Sequence, residues 1–201
     1  MTLYFNPTSP IKKEIRLIGI DDSPFTKHQG GQIPVIGAVH RGGSFLEAVL
    51  STTIEIDGDD ATEKIAEMIT KSRHHKQIRV ILLNGIAVGG FNVVDIKHLA
   101  NATKKPVIII VRQKPNINKI SKAINNVHNG NVKLCIIKKA GNVKKLKVHN
   151  GVIHFQCTGI SEKHAREIIT LSATHSMIPE PIRSAHLIVA GLVKGESRGR
   201  A

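Results

Sequence analysis

Two unbroken apolar runs, at 80–83 and 107–111, frame a glycine-rich turn and an amphipathic segment. Each run is too short for a membrane span, which needs about 20 residues. Neither alternates as a strand with one wet face does, so both read as parallel strands buried on both faces. Parallel pairing demands a crossover between them, and the amphipathic segment supplies the helix. Upstream, 15–22 (IRLIGIDD) alternates, with Ile15, Leu17, Gly19 and Asp21 on one face and Ile18, Ile20 and Asp22 on the other. The turn Ser23-Pro24 ends that strand. Segments 33–40 and 45–56 read as an antiparallel hairpin through Arg41-Gly42-Gly43-Ser44. Asp60 and Glu63 have capping-box spacing, and Ile65, Met68 and Ile69 give the following helix its apolar stripe.

The same reading predicts a helix capped by Asn92, with Asp95 three residues on and Phe91 stapled to Ile96. After a strand at 106–112, Pro115 and Asn116 start a helix with Ile117, Ile120, Ile124 and Val127 on one side; Asn129-Gly130 stops it. Three short strands follow at 132–139, 143–149 and 152–157, the last two joined at Asn150-Gly151. Ser161 caps a helix with Ala165, Ile168, Ile169 and Ser172 inward, and a final helix starts near Pro181 and ends at Gly195. Glu180 and Arg183 lie one turn apart there, spaced to pair. With no repeat and no linker, 1–201 reads as one domain, with an irregular lead-in over 1–13 and a basic tail over 195–201.

Composition changes this picture in one respect. The 41% apolar and 22% charged content is globular. The N-terminus lacks a basic-then-apolar signal pattern, so a cytosolic location is expected, away from the membrane. Yet 29 Lys and Arg against 15 Asp and Glu leave a net charge of +14, which favours an anionic partner, nucleic acid (DNA or RNA) first. The competing reading is a generally basic cytosolic surface. One Tyr and no Trp leave little for base stacking, so contacts should run from Lys and Arg to phosphate. Lys133, Lys138, Lys139, Lys144, Lys145 and Lys147 offer a phosphate-facing ribbon or a lysine-guarded sheet edge. Cys135 and Cys157 are expected to be buried free thiols.

Ligands of open α/β sheets bind at the carboxyl ends of parallel strands. Asp21 and Asp22 end the first strand, Asn84 the strand at 79–84, and Arg112 the strand at 106–112; Asp95 opens the intervening helix. Asp60 precedes the first helix, with Asp57 competing for the same role. Strand, hairpin, helix, then parallel strand–helix–strand is the element order of a ribonuclease H-like fold, whose carboxylates hold divalent cations for phosphodiester chemistry. Oxygen ligands suit Mg²⁺ or Mn²⁺. The turn at 85–90 lacks the Gly-Lys-Ser/Thr of a phosphate loop, although its backbone N–H groups could face an anion. His175 and His186 receive no role as a base.

Two segments carry a family likeness. Gly159-Ile160-Ser161, Ala165 and the run 178–186 (IPEPIRSAH) resemble the pattern of endonuclease V, as does Gly19-Ile20-Asp21 on the first strand. With 19–25, 84–95, 111–115 and 195–201, nearly the whole chain resembles an uncharacterised archaeal family, the ninety-ninth domain of unknown function, itself a relative of endonuclease V. The resemblance implies an endonuclease V-like, ribonuclease H-like mixed sheet flanked by helices, to which the pattern after 131 adds a C-terminal β-meander and two helices. It further implies metal ligation by Asp21, Asp60 and Asn84, while their places at the strand end and helix start add Asp22 and Asp95 to the same catalytic set. Arg112 and Lys114 would contact phosphate, and the cofactor would be Mg²⁺ or Mn²⁺. Asn84 stands where endonuclease V carries an aspartate, and that family's tyrosine wedge has no counterpart here. The alternatives are a non-catalytic nucleic-acid binder that has lost part of the metal site, or an enzyme using the glycine turn on another phosphorylated substrate.

Overall fold

A computed structural model describes residues 3–5, 10–26, 30–125 and 127–197; most of the expected basic tail and part of the lead-in lie outside them. The strands are β1 (Arg16–Asp22), β2 (Gln32–Arg41), β3 (Phe45–Glu55), β4 (Val80–Asn84), β5 (Ala87–Val88), β6 (Asn92–Val93), β7 (Val107–Val111), β8 (Lys144–Val148) and β9 (Gly151–Thr158). The helices are α1 (Ala61–Thr70), α2 (Ile96–Thr103), α3 (Ile117–Ile124), α4 (Gly130–Lys139), α5 (Glu162–Ser172) and α6 (Glu180–Lys194). Seven strands form one mixed sheet in the order β3-β2-β1-β4-β7-β9-β8. β1, β4 and β7 are parallel at its centre, while β2, β3, β9 and β8 are added antiparallel outside them. This is the expected ribonuclease H-like arrangement.

Both faces of the sheet are covered, as the two unbroken runs require. Ile18, Ile20, Ile81, Leu83 and Ile109 pack under α1 and α2. Leu17, Val80, Leu82, Ile108 and Ile110 pack under α5 and α6. The alternation read along β1 is thus realised. Each buried Ile or Leu contributes about 1.5 to 3 kcal/mol of transfer energy. Among the described residues no helix is long and apolar enough to cross a membrane.

Several local expectations are corrected. Segment 132–139 is helical, not a strand: α4 turns Lys133 and Ile137 inward at helical spacing. Lys133 is 2% exposed, donates to the Asp57 carbonyl at 2.6 Å and pairs with Asp59 at 3.1 Å. A buried lysine committed to that pair cannot face a phosphate, and a polar residue so deeply placed hides the helical period. The three-stranded meander is therefore a hairpin, β8–β9, and β9 extends the central sheet through β7. Its two-residue loop is His149-Asn150, since Gly151 already pairs with Val148. Lys144, Lys145 and Lys147 occupy the outer edge strand, and Lys144 pairs with Glu162 at 2.7 Å.

Asn92 does not cap α2. It belongs to β6, folded back on β5 through Gly89 and Gly90, whose φ angles of 54° and 85° suit glycine. The α2 cap is Asp95, which accepts from the Lys97 and His98 N–H groups. Asp60 makes no capping bond to α1; fully buried Asn92 does so from a distance, its Oδ1 accepting the Ala61 N–H at 3.0 Å. α3 ends at Ile124 rather than Val127, and Gly130 starts α4 instead of stopping α3. Cys135 is exposed and Cys157 half-buried, and both are free.

Candidate functional site

Parallel register builds the site. Ile20 pairs with Leu83, so Asp21 and Asn84 leave β1 and β4 side by side at the carboxyl rim. The Asn84 Nδ2 donates to Asp21 Oδ1 at 3.0 Å. A third element completes the group. Gly19 has no side chain, and α6 presses its first turn against it: a Cβ there would lie 2.1 Å from the Pro181 carbonyl carbon. Two residues of strand and five of helix each advance about 7 Å. Moving from Gly19 to Asp21 and from Pro181 to His186 therefore brings the last two together. The His186 Nδ1 meets Asp21 Oδ2 at 2.8 Å.

Asp21 is 4% exposed, and both its oxygens are hydrogen-bonded. This contact raises the His186 pKa above its ordinary 6.5, against the opposing effects of burial and of Arg112 beyond β7. The His186 Nε2 is buried without a hydrogen-bond partner among the described residues. Neighbouring Asp22 accepts the Gly89 N–H at 2.9 Å. The glycine turn thus does present a backbone donor to an anion, and the anion is this chain's own carboxylate. Burial pushes Asp22 up to about 6, the Gly89 bond partly opposes it, and the Asp21 charge adds to the rise.

α6 is held in place by further contacts. Arg183 donates to the buried Glu180 carboxylate at 2.9 Å, so the expected pair forms. His40 Nε2 on β2 meets the Ser184 hydroxyl at 2.9 Å.

Sequence reading and structure overlap only in part at this rim. Asp21, Asp22 and Asn84 come together, and Arg112 acts on the same cluster electrostatically through His186. Lys114 is exposed in the segment between β7 and α3. Asp60 is engaged elsewhere, accepting from Asn92 Nδ2 at 2.6 Å and from the Glu55 N–H at 3.2 Å. Asp57 holds the Phe91 N–H at 2.7 Å, and Asp95 is occupied as the α2 cap. Among the described residues no group of three or more His, Cys, Asp or Glu could hold one ion. His186 was missed as a site residue. Its signal was helical spacing: it stands four residues beyond buried Ile182, on a helix whose Pro start fixes the register.

Comparison with known proteins agrees with this architecture. The sequence model of a family described as Endonuclease dU matches residues 13–193. A UPF0215 protein of Methanothermobacter thermautotrophicus is 45% identical over 192 residues, covering 95% of this chain and 94% of that one. A solved protein of unknown function from Archaeoglobus fulgidus is 36% identical, with a TM-score of 0.80 over 89% of this chain and 98% of its own. Endonuclease V of Ciona intestinalis, solved with a 24-mer DNA containing an inosine followed by a ribo-adenosine, shares the fold. Its TM-score is 0.60 at 15% identity, over 90% of this chain and 86% of that one.

Proposed function

This chain belongs to the Endonuclease dU family, and from that premise we propose that it hydrolyses phosphodiester bonds in nucleic acid with the help of a divalent cation. The observation that carries the reading is the buried Asp21 at the carboxyl end of β1, set between Asn84 and His186 and beside Asp22. The family description and the inosine-containing DNA held by Ciona endonuclease V make deaminated bases, deoxyuridine first, the substrates to try.

The donor set suits a hard cation. Mg²⁺ keeps several waters and needs only one or two protein carboxylates beside the substrate phosphate. Asp21 and Asp22 supply two, and Asn84 carries a neutral carbonyl oxygen. The raised Asp22 pKa marks a carboxylate whose negative charge is poorly compensated, which a cation would correct. Bound there, the ion would polarise a phosphoryl oxygen and acidify a water ligand. Asp21 orients the imidazole of His186 through Nδ1, leaving Nε2 as the atom that takes or gives a proton. Arg112 supplies positive charge at the same rim for a phosphate.

Nicking assays on labelled duplexes bearing one deoxyuridine, one inosine or no lesion, with and without Mg²⁺ or Mn²⁺, test this reading alongside calorimetry with Mn²⁺. Metal-dependent nicking that Asp21→Asn abolishes is expected. Absence of both Mn²⁺ heat and nicking would overturn it. The alternative, a nucleic-acid binder without turnover, is favoured by the hydrogen bond that each Asp21 oxygen already makes within the protein. It predicts duplex binding unchanged in Asp21→Asn.

A further inference from the structure

The rim opposite Asp21 carries a second concentration of charge. β1, β4 and β7 run parallel, so their amino ends meet there, and each is opened or preceded by cations: Arg16, Arg79, and Lys104 with Lys105. Lys12, Arg16, Lys76 and Arg79 line one open cleft of about 570 Å³, with Glu14 the acid among them. Arg16 is engaged by Glu47 at 2.7 Å. Among the described residues, Lys12, Lys76, Arg79 and Lys105 have no carboxylate within ion-pair distance. Burial, aided by the charge of Arg79, holds Lys105 below its ordinary value, so these two cations act on one another at this rim.

We propose that this cleft is a second nucleic-acid contact, a seat for the phosphate backbone separate from the carboxylate rim. Arg16 lies five residues before Asp21 on β1, about 17 Å away, so one phosphate cannot engage both rims. Successive strands are about 4.8 Å apart, so the cations ahead of β1, β4 and β7 form a row of about 10 Å. Phosphates along one strand of a duplex recur about every 3.4 Å of axis, so such a row suits a repeating polyanion better than a single small phosphate. Contact of this kind reads no bases, in keeping with a surface offering lysine and arginine rather than aromatic rings. It stands whether or not the carboxylate rim hydrolyses anything.

The test uses the full chain and a fluorescein-labelled, lesion-free duplex of about 20 base pairs, long enough to leave the cleft's row fully occupied. Affinity is measured by anisotropy across a series of KCl concentrations. The double variant Lys76→Gln/Arg79→Gln is expected to bind at least about tenfold more weakly at low salt. Its slope of log K against log salt should be shallower by about 2, since each phosphate contact contributes about 0.9. The control is Lys145→Gln/Lys147→Gln on the edge strand β8, with the same change in net charge. Wild-type affinity and slope in the rim variant overturn the proposal, as does an equal loss in the control. Acetylation footprinting of the wild type gives an independent reading. Protection of Lys12 and Lys76 by the duplex supports the seat, and their unchanged labelling overturns it. Both readouts are taken on wild type and rim variants without added metal and without turnover, which separates this test from that of the hydrolytic reading.

Discussion

Gly19 and Pro181 meet backbone to backbone: a methyl group on Gly19 would lie 2.1 Å from the Pro181 carbonyl carbon and 2.3 Å from the Ile182 nitrogen. No flexible side-chain tip is available there to move aside. Gly19→Ala should therefore displace the start of α6, costing about 1 to 3 kcal/mol as other overpacked cores do. It should also loosen the contact between His186 and Asp21. A lowered urea midpoint and a His186 titration returned toward 6.5 are expected. A wild-type midpoint would show that α6 yields freely.

The pairing of His186 with Asp21 sets a pH dependence. The folded-state pKa of His186 lies above its ordinary 6.5, so the pair's contribution is complete below 6.5 and is lost as pH rises through the raised value. Asp21→Asn removes the first cause of the shift, and the imidazole should then titrate lower, since burial and Arg112 both depress it. Proton NMR of the ring across pH 5 to 9 reads this directly. Identical titrations in the two proteins would contradict the assigned contact.

Asp22 moves stability in the same direction, over a lower pH range. Its carboxyl is raised from 3.8 to about 6, so the folded chain holds its proton more tightly than the unfolded one. Stability should fall as pH rises between those values, by an amount on the order of 3 kcal/mol. Asp22→Asn keeps an oxygen for the Gly89 N–H and removes the charge. The variant should be more stable than wild type at pH 7.5, with the difference vanishing near pH 4. Urea melts at both pH values decide the matter.

Asn84→Asp places a third carboxylate within hydrogen-bond distance of Asp21. If this rim takes a cation, Mn²⁺ affinity should rise by about tenfold or more, roughly 1.4 kcal/mol. Calorimetry provides the comparison. Unchanged affinity would mean that Asn84 only orients Asp21.

The central strands are legible in the sequence because their cause is local. Unbroken apolar runs at 80–83 and 107–111 permit only a doubly covered strand, and alternation along β1 assigned both of its faces. Failures arose where a distant partner overrides the local pattern. Buried Lys133 disguised α4 as a strand because its partner, Asp59, lies seventy-four positions earlier. Asn92 looked like a cap for the helix ahead and instead caps the helix behind. Asp60 had the spacing of an N-cap and a family place as a ligand, yet Asn92 and Glu55 hold it. At the rim, Asp21 and Asn84 were legible because strand ends sit together in any parallel sheet. His186 was not, because its place depends on how closely α6 can approach β1, which a glycine two residues before Asp21 decides.

Asp21 and His186 are 165 positions apart. Bringing them together closes nearly the whole chain into one loop, so the two groups meet only after the sheet has formed and α6 has docked on it. A ligand that needs both thus has no foothold on a partly folded chain, and its binding energy adds in full to the folded state by mass action. Occupancy of this rim would consequently serve as a gauge of whether the molecule is folded from one end to the other.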